Sequence, residues 1–334
     1  MTLNHKSENI ILKRLNEIGL SIHSKYIDKI YQSVNEPELI SIFQHIESYW
    51  FDRDRSALIW LCNEIVGGTP ENTIFPSLIM SLTSSGIGVH DDIIDKTTHK
   101  HNAVTVPGKF GVKKSLVVGD LLIIKGLLNV DTLYSNFDMT TSNLLVKVFY
   151  DYFSEMATSE ILEINSNKHL EQDLQTYHKM LWKLGVDGEA CARLGAVSGN
   201  ATKEELEALA FFGRSLGYIL RLREEIIDIS NKRGNLKNRI ENESIPLALL
   251  YISKQSVNNY QQVKEILDKE KINDKDVSNV VKICYEPQTI DYINKNIDES
   301  FEKAVTSLDI FPDSTPKSML IKILELKRNQ SSLM

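Results

Sequence analysis

The sequence contains few cysteines, and their spacing argues against a protein held together by disulfide bonds. Its 334 residues include only Cys62, Cys191 and Cys284, which lie far apart and form no Cys-x-x-Cys pair. A disulfide framework needs several cysteines in a short chain. We therefore expect three reduced, buried thiols in an intracellular, cytoplasmic protein.

The sequence also lacks a long uninterrupted hydrophobic run and an excess of positive charge. Its most apolar stretch, residues 116–130, contains Asp120 and Lys125, and it is too short and too charged to cross a bilayer. No unbroken apolar segment follows the charged residues 1–8, so we expect no cleaved signal peptide. The net charge of -7 gives no general attraction for nucleic acid.

Helical periodicity covers most of the chain, and no alternating strand pattern competes with it. Apolar residues recur at spacings of three and four. In residues 75–94 and 112–128 they would cover nearly all sides of a helix. Helices that are apolar on all sides lie inside a bundle. No repeat, linker or change of composition divides the chain, so the sequence predicts one all-α domain spanning residues 1–334.

A cluster of acidic residues ends the first of these buried segments. In the run His90-Asp91-Asp92-Ile93-Ile94-Asp95, helical geometry places Asp91 and Asp95 on one face, with Asp92 on the same turn. Unpaired charges at the end of a buried helix are costly. Carboxylate oxygens gathered without His or Cys suit a hard cation such as Mg²⁺, which takes its remaining ligands from water and substrate phosphates. Spacing alone leaves a solvated acidic turn as the alternative.

A second cluster repeats this spacing near the end of a later helical segment, residues 203–229. Glu224 and Glu225 are followed by two apolar residues and Asp228. Taken alone, the cluster favours a solvent-exposed ion pair between Glu225 and Arg221, four residues earlier. Because both clusters follow the pattern acid-acid-apolar-apolar-acid, we expect the two helices to face each other and to form one site for several metal ions and a diphosphate.

The segment that follows this cluster, residues 230–244, is polar and unusually rich in cations. It shows no apolar helical periodicity. The sequence therefore predicts a mobile loop here.

From about residue 53 to residue 251, the sequence resembles the trans-isoprenyl diphosphate synthases, the polyprenyl synthetase family. Residues 90–95 match the first aspartate-rich motif of that family, and residues 216–228 resemble the helix that bears the second. Lys183 lies where the family has its diphosphate-binding lysine. The combination and the order of these motifs are specific, whereas each one alone is weak.

The resemblance implies antiparallel helices around a deep central cavity, with Mg²⁺ and an allylic prenyl diphosphate held between the two acidic motifs. The implied metal ligands are Asp91, Asp92, Asp95, Glu224, Glu225 and Asp228. The implied catalytic residues are Asp91, Asp92 and Lys183. The implied diphosphate-binding residues are Arg55, Lys100, Lys183 and Arg233.

The implied activity is that of a homodimeric trans-prenyltransferase of the polyprenyl or geranylgeranyl diphosphate synthase type. Departure of the diphosphate from the allylic substrate generates a carbocation. The double bond of isopentenyl diphosphate then attacks this cation, and a proton is lost. Gly119 and Gly126, seven residues apart on an apolar helix, are predicted to mark close helix packing, and a homodimer contact is one place for it.

Departures from the family pattern cluster where the family binds isopentenyl diphosphate. Asp52 replaces a lysine, Ser84 replaces a histidine or glutamine, and Lys100 with His101 replaces an Arg-Arg pair. A lysine is a point charge and a histidine titrates, so this pair binds anions less firmly than two planar guanidinium groups. Two other functions therefore stay open: a class I terpene cyclase-like enzyme that ionises one prenyl diphosphate, and a non-catalytic partner subunit. The intact first motif argues against the partner subunit.

Three residues upstream of the first motif, Thr83, Gly86 and Ile87, are expected to line the path of the prenyl tail. They lie one to two helical turns before Asp91. In the family, bulky aromatic residues at the equivalents of Gly86 or Ile87 close the cavity and keep products short. Glycine at position 86 therefore predicts an open cavity floor and a C20 or longer product.

Overall fold

The computed structural model describes residues 2–50, 52–100 and 103–329, and most of them are helical. The chain forms two compact units. The first unit contains the described residues up to 150, together with 190–210 and 308–321. The second unit contains residues 151–189, 211–307 and the described residues from 322 onward.

The α-helices follow one another with short connections, which confirms the predicted all-α class. In chain order they are α1 Thr2–Tyr31, α2 Pro37–Glu47, α3 Arg53–Ile65, α4 Ile74–Ile94, α5 Val106–Phe110, α6 Val112–Leu127, α7 Asp131–Asn136, α8 Met139–Asn165 and α9 Leu174–Leu184. They continue as α10 Val186–Ser198, α11 Lys203–Ser230, α12 Leu236–Asn242, α13 Leu247–Ser253, α14 Val257–Leu267, α15 Asp274–Cys284, α16 Pro287–Ser307 and α17 Thr315–Asn329.

A two-residue ladder is the one piece of sheet in the described part of the chain. Strand β1, His99–Lys100, runs antiparallel to β2, Ala103–Val104, with His99 opposite Val104. Strands of two residues are too short to produce an alternating pattern in the sequence. The ladder directly follows α4 and brings Lys100 back to the end of that helix.

Helix α4 lies in the buried centre of the first unit, as its apolar sequence predicts. Residues 76–86 are buried without interruption. Leu78, Leu82 and Val89 join a hydrophobic core with side chains of α1, α2 and α6. Each such side chain contributes roughly 1.5–3 kcal/mol when it leaves water. This packing fixes the helix that carries the first acidic motif.

Helices α4 and α6 approach closely at two glycines of α6. A Cβ atom at Gly119 would lie 2.4 Å from Nε2 of His90, and one at Gly126 would lie 2.5 Å from Cγ2 of Thr83. Only glycine permits helix axes to come this near. The predicted close packing is confirmed, and it joins α6 to α4 of the same chain.

The prediction that residues 112–128 lie inside the bundle is correct for one face of α6 only. Val118 and Leu122 are buried, whereas Val117 is 65% exposed and Leu128 is 71% exposed. The same exposed face also contains Leu116, Ile124 and Leu127. Apolar residues on all sides of a helix indicate that burial of each face would be favourable. They do not show whether the rest of the same chain buries it.

The polar segment 230–244, predicted to be a loop, contains the short helix α12. Gly234 has a φ of 73°, which glycine adopts without strain, and α12 begins two residues later. Leu236 and Ile240 of α12 are buried, and so is Arg239. Two apolar residues four apart are too few to be recognised as helical periodicity.

All three cysteines are free and buried, as predicted. In the described residues, no helix combines the length and the apolar character that crossing a membrane requires.

Candidate active site

The C-terminal end of α4 carries the first acidic motif. Asp91 and Asp92 lie in its last turn, and Asp95 caps it. The C-terminal end of a helix bears partial negative charge, so carboxylates are unfavourable there unless a cation compensates them. Lys100 supplies one: its Nζ lies 3.4 Å from Oδ2 of Asp91 and 3.5 Å from Oδ1 of Asp92. His101, its neighbour in the sequence, lies outside the described residues.

Asp92 is turned into the protein, unlike its two acidic neighbours. It is 5% exposed, whereas Asp91 and Asp95 are partly exposed. Burial raises the pKa of Asp92 to about 6, with Lys100 opposing the shift and Asp91 adding to it. Among the described residues, no donor forms a hydrogen bond to its Oδ1, and the Lys100 ammonium stands at ion-pair distance. The first motif is therefore short of positive charge.

Gly86 does not border open space. A Cβ atom there would lie 2.6 Å from the carbonyl oxygen of Gly119 and 2.7 Å from Cγ1 of Ile123. The expectation of an open cavity floor at Gly86 is wrong, because α6 occupies the position of the missing side chain. Thr83 is fully buried on the same side of α4. Ile87 is partly exposed and lies four residues before Asp91, on the face of the motif.

Arg55, predicted to bind diphosphate, is paired with a carboxylate in the first unit. Its Nη1 lies 3.5 Å from Oδ1 of Asp52. Asp52 is buried, and its Oδ2 accepts a hydrogen bond of 2.9 Å from the hydroxyl of Ser81. The acid at position 52 therefore offsets the positive charge at position 55.

Helix α11 carries the second acidic motif in the second unit. Glu224 and Asp228 are four residues apart and share a face. The Glu224 side chain is 49% exposed and accepts a hydrogen bond of 2.8 Å from Nη1 of Arg233. Burial raises the pKa of Asp228 to about 7, with Arg239 opposing the shift and the neighbouring glutamates adding to it.

Glu225 lies on a different face and is 2% exposed. Its Oε1 accepts a hydrogen bond of 2.8 Å from Nη2 of Arg239 and lies 3.0 Å from the hydroxyl of Tyr177. Its Oε2 accepts a hydrogen bond of 2.7 Å from the backbone N–H of Leu247. These groups, and not Arg221, are the partners of Glu225.

Lys183 lies in the last turn of α9 and is partly exposed. Arg214 donates hydrogen bonds to the backbone carbonyl oxygens of Lys183, at 3.0 Å, and of Trp182, at 3.3 Å. Its guanidinium group is held by Glu155 at 2.8 Å and Glu189 at 2.6 Å. Carbonyl groups at the end of a helix have no partner within it, so Arg214 caps α9 where Lys183 stands.

The described residues include no preformed group of three or more His, Cys, Asp or Glu side chains around a metal position. The available donors nevertheless fit a hard divalent cation. Asp91 with Asp95, and Glu224 with Asp228, each offer two carboxylates on one helix face. Mg²⁺ uses one or two protein carboxylates together with water and substrate phosphates, so such pairs suffice.

The sequence did not predict the contacts of two arginines in the second unit, Arg214 and Arg239. Arg239 contacts Glu225, fourteen positions earlier in the chain, and Arg214 contacts the end of α9. Neither contact has a spacing that helical geometry would reveal. The excess of cations in residues 230–244 is the signal that pointed towards Arg239.

Residues 38–284 match the family model described as polyprenyl synthetase. The geranylgeranyl diphosphate synthase of Methanosarcina mazei is 24% identical over 316 residues, which cover 90% of this chain and 92% of that protein. The geranylfarnesyl diphosphate synthase of the same organism is 24% identical over 238 residues, which cover 70% of this chain and 76% of that protein.

The fold has a close match among solved structures. The polyprenyl synthase of Caulobacter crescentus CB15, complexed with calcium and isoprenyl diphosphate, matches with a TM-score of 0.86 at 16% identity and covers 96% of this chain and 97% of that chain. The segment matched by the family model includes both acidic motifs and Lys183. The chain therefore belongs to the polyprenyl synthetase family, and it is an all-helical trans-prenyltransferase with the isoprenoid synthase fold.

Proposed function

We propose that this prenyltransferase joins an allylic prenyl diphosphate to isopentenyl diphosphate and releases a C20 or longer product. One observation carries the proposal: in each acidic motif, the first and last acids share a helix face, and a cationic side chain stands beside the first acid. Lys100 has this place beside Asp91, and Arg233 has it beside Glu224. Carboxylates next to cations are the groups that bind a metal and a diphosphate together.

Magnesium is the cation that best fits these carboxylate donors, and when bound it would neutralise the diphosphate and make it a better leaving group. The residues that would hold it are Asp91 and Asp95 in the first motif, and Glu224 and Asp228 in the second. Asp92 would not hold the metal itself but would help to keep Lys100 beside Asp91. The calcium and isoprenyl diphosphate bound to the Caulobacter enzyme support a divalent cation here.

Lys100, Lys183 and Arg233 would hold the oxygens of the diphosphate groups. When the allylic C–O bond breaks, the electron pair stays with the departing diphosphate, so negative charge grows on its oxygens. Fixed ammonium and guanidinium groups stabilise this charge. The double bond of isopentenyl diphosphate then forms the new C–C bond to the allylic cation, and loss of one proton restores a double bond.

The proposed product length has support from the relatives, and one residue of α4 is placed to limit it. The two relatives from Methanosarcina mazei are named for C20 and longer products. Of the three residues expected to line the path of the prenyl tail, Ile87 shares the face of Asp91, whereas Thr83 and Gly86 face α6. Ile87 is therefore the residue of α4 that we propose to limit the length of the product.

A homodimer is part of the proposal, and the exposed apolar face of α6 would be its contact surface. Exposed apolar patches rimmed by polar residues mark protein interaction sites. Val117→Glu should give a monomer in sedimentation velocity, while Val257→Glu, at a position that is 80% exposed in the second unit, should not change the mass. A parent protein that sediments as a monomer would contradict this part.

A second function is favoured by the pairing of Asp52 with Arg55. A cation already offset by a buried carboxylate binds a second diphosphate weakly. A terpene cyclase-like enzyme, which ionises one prenyl diphosphate, has no need of that second site.

The experiment that decides between these functions uses the purified chain with Mg²⁺ and an allylic diphosphate, with and without isopentenyl diphosphate. Mass analysis should detect longer prenyl diphosphates only when isopentenyl diphosphate is present. A cyclic hydrocarbon or cyclic alcohol made from the allylic substrate alone would instead support the cyclase. No product in either case would support the non-catalytic partner subunit.

A further inference from the structure

Helix α12 buries an arginine against three acidic residues of the second unit. The Arg239 guanidinium lies 2.8 Å from Glu225, 3.1 Å from Glu243 and 3.5 Å from Glu163. Burial by itself lowers the pKa of Arg239, but these carboxylates raise it well above its ordinary value. The group is therefore permanently charged, and acidic side chains surround it in excess.

Every oxygen of the Glu225 carboxylate is already engaged inside the protein. Oε1 receives the charged hydrogen bond from Arg239, and Oε2 receives the backbone hydrogen bond from Leu247. The Tyr177 hydroxyl shares its one proton between Glu225 Oε1 and the carbonyl oxygen of Ile245, at 3.0 and 2.7 Å. A metal ion at Glu225 would have to displace one of these buried hydrogen bonds, and an unpaired buried partner is costly.

Neighbouring acids of α11 hold both ends of the polar segment that follows. Glu224 binds Arg233 near its start, and Glu225 binds the Leu247 N–H just beyond its end. Arg239 lies between these two attachments and is tied to Glu225 as well. The segment that presents Arg233 is therefore fixed to α11 through Glu225.

We propose that Arg239 is a positioning residue that holds Glu225 as its internal counter-ion, so that the second motif offers Glu224 and Asp228 to a metal and withholds Glu225. The inference rests on the proposed metal-dependent function. Arg239 and Glu225 touch neither metal nor substrate. They fix the segment carrying Arg233 against the helix that carries Glu224 and Asp228.

Direct metal binding tests the assignment with two matched variants, Glu225→Gln and Glu224→Gln. Mn²⁺ is titrated into each protein with inorganic pyrophosphate present, and binding is followed by electron paramagnetic resonance. Glu224→Gln should weaken binding about 100-fold or more, whereas Glu225→Gln should weaken it by no more than about tenfold, as expected for a residue that acts on the metal only through the ligands. A loss at Glu225→Gln equal to that at Glu224→Gln would overturn the proposal.

Thermal unfolding without metal tests the internal pair itself. Glu225→Gln should lower the unfolding midpoint, and Glu224→Gln should leave it nearly unchanged because its partner Arg233 is on the surface. The double variant Glu225→Gln/Arg239→Gln should be destabilised less than the sum of the two single variants. Additive effects would show that the two residues do not act as a pair.

A third measurement separates positioning from a purely structural role. Arg239→Gln should raise the Mg²⁺ concentration for half-maximal activity about tenfold, and Arg239→Lys, which keeps the charge, should restore most of the loss. If Arg239→Gln lowers the unfolding midpoint but leaves the Mg²⁺ requirement unchanged, Arg239 has a structural role only.

Failure of the inference can be told apart from failure of the proposed function. A parent protein that binds no Mn²⁺ with pyrophosphate would contradict the metal-dependent function, and with it the assignment of ligands. Coupling between positions 225 and 239 in metal-free unfolding would still decide whether the internal pair exists.

Discussion

The two acidic motifs have the same spacing, and they differ in what their middle acid contacts. Asp92 and Glu225 hold the second position, which is rotated about 100° from the first acid on a helix. Both are buried, at 5% and 2% exposure, while the flanking acids reach the surface in part. Spacing therefore determines which acids face outward, and it does so identically in both helices.

The surroundings of the middle acids are unlike. Asp92 has an ammonium group at 3.5 Å and an oxygen to which no described residue donates. Glu225 has a guanidinium group, a backbone N–H and a tyrosine hydroxyl. The first motif thus keeps negative charge that an added cation can relieve, and the second has one of its charges relieved by the protein. Tertiary contacts, and not spacing, determine how much charge each motif offers.

The largest effect is expected from removing the first acid of the first motif. Asp91→Ala should lower kcat/KM by about 10²–10³-fold, the size of effect found when one group that supports charge stabilisation is removed from an active site. Glu224→Ala should have a smaller effect, because Arg233 lies 2.8 Å from Glu224 and offsets more of its charge than Lys100, at 3.4 Å, offsets of Asp91. Asp28→Ala, at an exposed acid of α1, serves as the control. Near-parent turnover by Asp91→Ala in Mg²⁺ would remove the first motif from the active site.

Asp92→Asn should stabilise the metal-free protein at pH 8, by about 3 kcal/mol at most. The pKa of Asp92 is raised to about 6 by burial, so its contribution to stability is complete at low pH and is lost as the pH rises through about 6. The advantage of the Asn variant should therefore shrink when chemical denaturation is repeated at pH 5. An advantage that is constant from pH 5 to pH 8 would show that Asp92 is not the titrating group.

The helix of the first motif is fixed by close packing, and a pair of glycine substitutions tests this. Gly86→Ala should cost about 1–3 kcal/mol of unfolding free energy, because its Cβ would meet the Gly119 carbonyl oxygen at 2.6 Å. Gly88→Ala is the matched control, since its Cβ would meet Trp50 at an ordinary distance of 3.4 Å. Equal stabilities of the two variants would contradict the packing of α4 on α6.

Polar contacts around Glu225 tie the helix of the second motif to its neighbours, and Tyr177→Phe should weaken them. Loss of the hydroxyl shared by Glu225 and Ile245 should cost about 1–2 kcal/mol in urea denaturation. Tyr150→Phe, at a tyrosine that is 72% exposed, should cost nothing measurable. Identical urea midpoints for the two variants would mean that the network around Glu225 adds no stability.

The smallest effect is expected at the half-exposed pair of the second motif. Arg233→Ala should change the unfolding free energy by less than about 1 kcal/mol, as surface ion pairs do. The same variant should raise KM for the allylic diphosphate if Arg233 binds its oxygens. A large loss of stability without a change in KM would reassign Arg233 to the structural network.

Those parts of the site that depend on helix geometry could be predicted from the sequence. Periodicity predicted the buried α4 and the placement of Asp91 and Asp95 on one face, and the order of the motifs predicted the family. Contacts between elements could not be predicted in this way. The partner of Glu225 lies on a short helix with two apolar residues, and it is Arg239 instead of Arg221, the cation at helical spacing.

The surroundings of Gly86 also could not be predicted from the sequence. Its lack of a side chain predicts space only if no backbone approaches, and Gly119 on α6 allows the backbone to do so. A glycine in one helix can therefore be read as an opening or as a contact, and the choice depends on the residue opposite. The fold class needs no such knowledge, because it follows from patterns within each segment.

The close approach of α4 and α6 at Gly119 and Gly126 should be visible in amide hydrogen exchange. Backbone amides buried between two tightly apposed helices exchange with solvent only when the surrounding unit unfolds. The seven-residue helix α12, attached largely through side chains, should open locally and exchange much sooner. Binding of substrate should then slow exchange in α12 far more than in α4, whose amides are already protected before any ligand arrives.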